Sequence, residues 1–140
     1  MTTEELQTVA NTFFDAIQSG DIETMYNCLA PGAEIWHNTD EVIVTPEFTK
    51  TILSGMHTRI RDVDYADRRL EVFPGGFVQQ HVLKGVRKGD GGEVRLPAAV
   101  ICRVKDGKIT RLDEYFDSAH QATFRKFAPK VPNDNRIGVD

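Results

Sequence analysis

Two cysteines, Cys28 and Cys102, are too few for a disulfide framework and lack the spacing of a zinc site. A reducing compartment, the cytoplasm, is the expected setting. Excess charge is also scarce, since 17 basic residues against 21 acidic ones leave a net charge of −4. That balance favours solubility and argues against a phosphate-backbone binder, so no nucleic-acid partner is expected. No apolar run approaches the roughly 20 residues of a membrane-spanning helix. The polar start Met1-Thr2-Thr3-Glu4-Glu5 lacks the basic and apolar regions of a signal peptide, and no membrane partner is expected. His37, His57, His81 and His120 show no paired metal-ligand spacing. The glycine-rich stretch Lys88 to Gly92 fits neither a phosphate loop nor a dinucleotide fingerprint, and no serine occupies a nucleophile elbow. Neither metal nor cofactor is expected.

What the 140 residues do contain is enough apolar material, 40%, for one core of ordinary size. Leu6, Val9, Ala10, Phe13, Phe14 and Ile17 recur at helical spacing behind a Thr2-x-x-Glu5 capping pattern, and Gly20 supplies the stop. Asp21 can cap a second short helix ending before Pro31-Gly32, and a strand is expected from Ala33 to Asn38. Thr45-Pro46 opens a third helix carrying Phe48, Ile52, Leu53 and Met56. After that the period changes to two. Strands are expected at 69–73, 77–86, 94–104 and 109–116, the last two joined by Asp106-Gly107, a pair suited to a tight hairpin. Three helices followed by a meander of antiparallel strands imply an α+β fold, a curved sheet wrapped around the helices. A short helix is expected within 118–127. A single domain over 1–127 is expected, with an irregular tail at 128–140 containing Pro129 and Pro132.

This order, with Gly20-Asp21 between the first helices and Gly107-Lys108-Ile109-Thr110 leading into Asp113-Glu114-Tyr115-Phe116-Asp117, resembles the nuclear transport factor 2-like superfamily, closest to its SnoaL-like branch. The resemblance implies a cone with an apolar pocket between sheet and helices, commonly in a homodimer. The scaffold hosts isomerases, cyclases, dehydratases, hydrolases and non-catalytic modules, so it marks fold better than activity. Set against ketosteroid isomerases, His37 takes the place of the aspartate base, while Phe13 and Val100 replace the oxyanion-hole tyrosine and aspartate. Set against limonene epoxide hydrolases, Glu114 matches one acid, His81 the arginine, Leu83 the other acid, and Ile35 and His37 the remaining pair. Both specific chemistries are disfavoured by these exchanges.

Glu114 is the carboxylate that alternation places with Thr110, Leu112 and Phe116, on a largely apolar face. Phe77, Gln79, His81 and Leu83 share a face of their own strand, which the resemblance makes the pocket face. A histidine beside a carboxylate can relay protons near neutral pH, so His81 and Glu114 form the expected proton-transfer pair, with His37 assisting. Phe13, Ile35, Leu83, Ala98, Val100 and Phe116 are expected to shape a pocket for a small, largely apolar molecule. Bland readings stand beside these. His81 could be satisfied by a neighbouring backbone group or glutamine, and Glu114 by an ion pair with Arg103 or Arg111. His37 could be a polar residue at the strand end, Trp36 is expected on the outer face or at a dimer interface, and His57 at a helix carboxyl terminus. Cys102 and Met56 are expected in the core. The function open at this point is a cofactor-independent acid-base enzyme, an isomerase, cyclase, dehydratase or hydrolase; the alternative is a non-catalytic ligand-binding or dimeric interaction module.

Overall fold

The chain runs α1 (Thr3–Ser19), α2 (Ile22–Asn27), β1 (Leu29–His37), β2 (Ile43–Val44), α3 (Pro46–Arg59), β3 (Ile60–Phe73), β4 (Gly76–Arg87), β5 (Glu93–Lys105), β6 (Lys108–Phe116) and α4 (Ser118–Arg125) in a computed structural model that describes residues 1–128. The irregular tail expected over 128–140 therefore lies, except for Ala128, outside the described residues. One curved, unclosed sheet of order β2-β1-β6-β5-β4-β3 carries the helices, giving the α+β cone.

Local chemistry accounts for the helix ends. Thr2 Oγ1 accepts the Glu5 N–H at 3.1 Å, and Gly20, at φ 81°, closes α1 in the left-handed region that glycine enters without steric cost. Asp21 and Thr45 cap α2 and α3 through the N–H groups of Thr24 and Phe48. His57 Nε2 donates to the Ile17 carbonyl at 2.6 Å, fastening the end of α3 to the end of α1. In the β5–β6 hairpin both Asp106 and Gly107 have positive φ, as a two-residue primed turn requires.

Alternation holds through β4 and β5, where Phe77, Gln79, His81 and Leu83 face Val94, Leu96, Ala98, Val100, Cys102 and Val104 on the inner side. Two strands depart from expectation. β1 begins at Leu29 and runs through Pro31-Gly32, because an irregularity between Leu29 and Glu34 absorbs the residues that cannot join the ladder. β3 begins at Ile60 rather than near Arg69, with register shifts between Arg61 and Asp64 and between Ala66 and Arg69 that erase the period-two signal. A further shift between Arg103 and Val104 turns Ile109, not Thr110, into the core at the start of β6. Leu6, Phe13, Phe14 and Ile17 of α1 pack with these inner faces as one hydrophobic cluster.

The sheet is antiparallel except between β1 and β6, which run parallel with His37 opposite Glu114. Asn38 secures that junction. Its side chain donates to the Phe116 carbonyl at 3.1 Å and accepts the Phe116 N–H at 3.0 Å, while its backbone N–H donates to the Glu114 carbonyl at 3.0 Å. Two side-chain hydrogen bonds of ordinary worth contribute about 1–3 kcal/mol together. Asn38→Ala is accordingly expected to lower the unfolding free energy by that amount in urea titrations, and an unchanged midpoint would contradict the clamp.

Candidate functional site

The interior of the cone contains two small chambers, with cavity volumes of ≈ 90 Å³ and ≈ 80 Å³. Both are lined by His37, Ile52, Leu53, Tyr65 and Glu114. The first continues among Phe13, Phe14, Ile35, Phe48 and Val100; the second among Met56, Leu83, Leu96, Phe116, Gln121 and Phe124. Both are well below the roughly 300–1,000 Å³ of a site for a drug-sized ligand, so the interior as it stands suits a molecule of about one ring.

Of the residues expected from sequence, His37 and Glu114 come into direct contact. His37 Nε2 lies 3.2 Å from Glu114 Oε1, with side-chain exposures of 18% and 23%. The imidazole is further braced edge-on against Phe116, at 5.9 Å between ring centres. Its Nδ1 is buried without a hydrogen-bond partner among the described residues. Glu114 lines both chambers, as His37 and Tyr65 do. Burial pushes the Glu114 carboxyl up, but the His37 hydrogen bond and the charges of His37 and His81 outweigh it and hold the pKa below the usual 4.5. The carboxylate is thus ionised at neutral pH. Arg111, one alternative partner, turns outward to Asp113 and Glu34.

His81 occupies a different setting. It is 4% exposed, stands 3.0 Å from the Gln79 amide through Nδ1, and packs edge-on against Tyr65 and Phe14. β5 separates its strand from β6, and its influence on Glu114 is through charge. With Ala98, it borders a separate surface depression that includes Asp67 and Arg68. Phe13, Ile35 and Val100 line the first chamber, and Leu83 and Phe116 the second. Trp36 meets Tyr115 edge-on at 5.3 Å on the outer side of the sheet. Cys102 is fully buried in the core, and Tyr26 bonds Glu47 at 3.0 Å.

Tyr65 and Gln121 line the interior without having been singled out by sequence. Tyr65 sits between the two irregularities of β3, where alternation gives no signal. Gln121 lies in the short α4, one helical turn after the Asp117 cap, with nothing local to distinguish it from a surface glutamine. Among the described residues no group of three or more His, Cys, Asp or Glu side chains is placed to hold a metal ion. No helix there is long and apolar enough to cross a membrane.

Comparison with known proteins gives this arrangement a family context. Residues 10–112 match the sequence model described as a SnoaL-like domain. A candidate polyketide cyclase from Xanthomonas campestris pv. campestris superposes with a TM-score of 0.73 at 19% identity, over 84% of this chain and 94% of that one. A nuclear transport factor 2-like protein from Burkholderia xenovorans gives 0.73 at 16%, over 88% and 97%. AclR, a candidate hydroxylase from Streptomyces galilaeus, gives 0.77 at 13%, over 94% and 87%. At such identities the likeness is one of fold. No curated protein matches the chain.

Burial is the main force lowering the His81 pKa below the usual 6.5; Glu114 opposes it and Arg68 adds to it. The folded protein therefore holds that proton less tightly than the unfolded chain, so this contribution to stability is complete above about pH 6.5 and declines as pH falls towards the folded pKa. Denaturant midpoints measured from pH 8 to pH 5 are expected to fall for the wild type and to fall less for His81→Gln. Equal slopes would contradict a buried neutral His81.

Proposed function

The chain belongs to the SnoaL-like family of the nuclear transport factor 2-like superfamily, and on that premise we propose that it is a cofactor-independent acid-base enzyme acting on a small, largely apolar molecule. The observation that carries the proposal is the His37–Glu114 contact at 3.2 Å between two apolar chambers. A carboxylate needs a reason to be inside a cone lined by Phe13, Ile35, Leu83, Val100 and Phe116, because burying its charge costs several kcal/mol before pairing, roughly. Moving a proton supplies that reason.

In this reading Glu114 Oε2 is the general base and then the acid, while His37 holds Oε1 and keeps the carboxylate ionised in the empty site. An apolar occupant displaces water from the chambers and removes solvation from the carboxylate, which strengthens it as a base when substrate is present. His81, kept neutral by burial, braces the aromatic wall of Tyr65 and Phe14. Isomerisation, cyclisation, dehydration and hydrolysis are all reached by such a proton transfer, and the chamber size favours substrates of about one ring. The structural neighbour described as a candidate polyketide cyclase supports a reading of this kind. Both cysteines are free thiols, which suits a cytoplasmic setting. A homodimer joined through the outer sheet face would cover Tyr115, which is 47% exposed beside Trp36.

The test is deuterium exchange at the carbon next to the carbonyl in a panel of small cyclic ketones and enones in heavy water. The wild type is expected to accelerate exchange, and Glu114→Gln to reduce it by about 10²–10⁴-fold, the usual worth of a positioned acid-base group. Exchange by Glu114→Gln at the wild-type rate would refute the role; binding without exchange across the panel would favour a ligand-binding module. Because His37 lowers the Glu114 pKa, the acidic limb of kcat/KM is expected below pH 4.5 and should move upward in His37→Gln. Sedimentation at micromolar concentration is expected to give a dimer that Tyr115→Asp dissociates; a wild-type monomer would contradict the interface.

A further inference from the structure

The glycine-rich stretch Lys88 to Gly92 forms the turn between β4 and β5, and it is shaped to receive α4. Asp90 accepts hydrogen bonds from Arg87 Nε at 2.9 Å, Arg87 Nη2 at 3.1 Å and the Gly92 N–H at 2.9 Å. So held, Arg87 turns its remaining nitrogen, Nη1, to the Thr123 carbonyl of α4 at 3.1 Å, and its side chain is only 12% exposed. Asp90 also pairs with Lys126 at 3.2 Å. Two of the glycines are needed for close approach. A Cβ at Gly92 would collide with the Arg87 guanidinium, and one at Gly89 would stand 2.9 Å from the Phe127 ring.

What the turn holds is a wall. Gln121, Phe124 and Arg125 of α4 line the second chamber, whereas Ser118, Ala119, Ala122 and Thr123 are exposed, so α4 separates that chamber from solvent. Its buried side chains are Gln121 and Arg125, so little apolar area holds it down. Eight residues are too few for a helix to persist undocked, and α4 therefore forms and docks as one event. α3, the other helix over the second chamber, is joined to the sheet at both ends through β2 and β3, and His57 fastens it to α1. Ahead of α4, Asn38 clamps Phe116, so the freedom to move begins at Asp117.

We propose that α4 is the gate of the cone interior, hinged at Asp117 and latched by the glycine-rich turn through Arg87, Asp90 and Lys126. Opening lets water solvate Gln121 and Arg125, and it gives up the hydrogen bond to Thr123 and an exposed ion pair of small worth. Such an element lies at the low-stability end of a molecule, from which moving lids are drawn. The inference needs only the second chamber and not the acid-base reading of Glu114, so either can fail alone.

The first test is hydrogen exchange on the whole protein. The amides of α4, among them that of Gln121, bonded to the Asp117 carbonyl at 3.0 Å, are expected to exchange through an opening that leaves the centre of β5 protected. Arg87→Gln is expected to raise the α4 rates roughly 2- to 10-fold, the worth of one hydrogen bond, without moving those of β5. Protection of α4 equal to that of β5 would overturn the gate, and so would α4 rates unmoved by Arg87→Gln. The second test applies iodoacetamide to Cys28→Ser carrying Leu96→Cys, a position in the second chamber, with the alkylated sites read by mass spectrometry. Cys102, buried in the core and lining neither chamber, reports global unfolding. The thiol introduced at position 96 is expected to react faster than Cys102, and faster again by the same factor in Arg87→Gln. Equal rates at 96 and 102 would overturn the proposal. A rise with Tyr26→Phe, which frees α3 from α2 at Glu47, but none with Arg87→Gln would overturn it as well, by placing the entrance at α3.

Discussion

The parallel pairing of β1 with β6 is the constraint on which the interior depends. Every other strand contact in the sheet is antiparallel, and only this one sets His37 opposite Glu114. A slip of one residue would send one of the two side chains to the opposite face of the sheet. Asn38 resists that slip from the first position beyond β1, using its amide as a substitute for the ladder that β1 no longer provides. The pair is therefore a product of backbone register before it is a product of charge attraction.

Around that pair the cone holds several polar groups that a purely structural core would omit. His37 Nδ1, Gln79 Oε1 and His81 Nε2 are buried without hydrogen-bond partners among the described residues, and each such group costs about 1–3 kcal/mol. These costs are borne beside a phenylalanine-rich α1 and a β5 whose inner positions are small or branched apolar residues. The same packing that offsets them keeps the chambers small and fixes the rings of Tyr65 and His81. Stability and the proposed proton transfer therefore draw on the same side chains, and exchanges among Phe14, Tyr65 and His81 are expected to move both.

The parts of the fold visible in the sequence are those governed by local chemistry. Thr2, Asp21 and Thr45 act as caps, Gly20 and Asp106-Gly107 act as stop and turn, and β4 and β5 keep a clean period of two. What was hidden depends on distant partners or broken periods. The first half of β3 carries two irregularities and mostly polar residues, so Tyr65 gave no signal. The two-residue β2 is too short to show a period. Glu114 was conspicuous as a carboxylate on an apolar face, but the identity of the histidine touching it depends on a β1–β6 pairing between residues far apart in the chain. Alternation could say which way His81 pointed, not that Gln79 and two aromatic rings would enclose it.

If register and not burial governs Glu114, its carboxyl must behave as a paired group despite an apolar setting. Carbon-13 NMR of selectively labelled protein, with the Glu114 side-chain carboxyl assigned by its absence in Glu114→Gln, measures this in the folded state. A titration midpoint below 4.5 is the expected result. A midpoint above that value would mean that desolvation dominates, that His37 does not hold the carboxylate in solution, and that the pair at the centre of the cone is not the working unit.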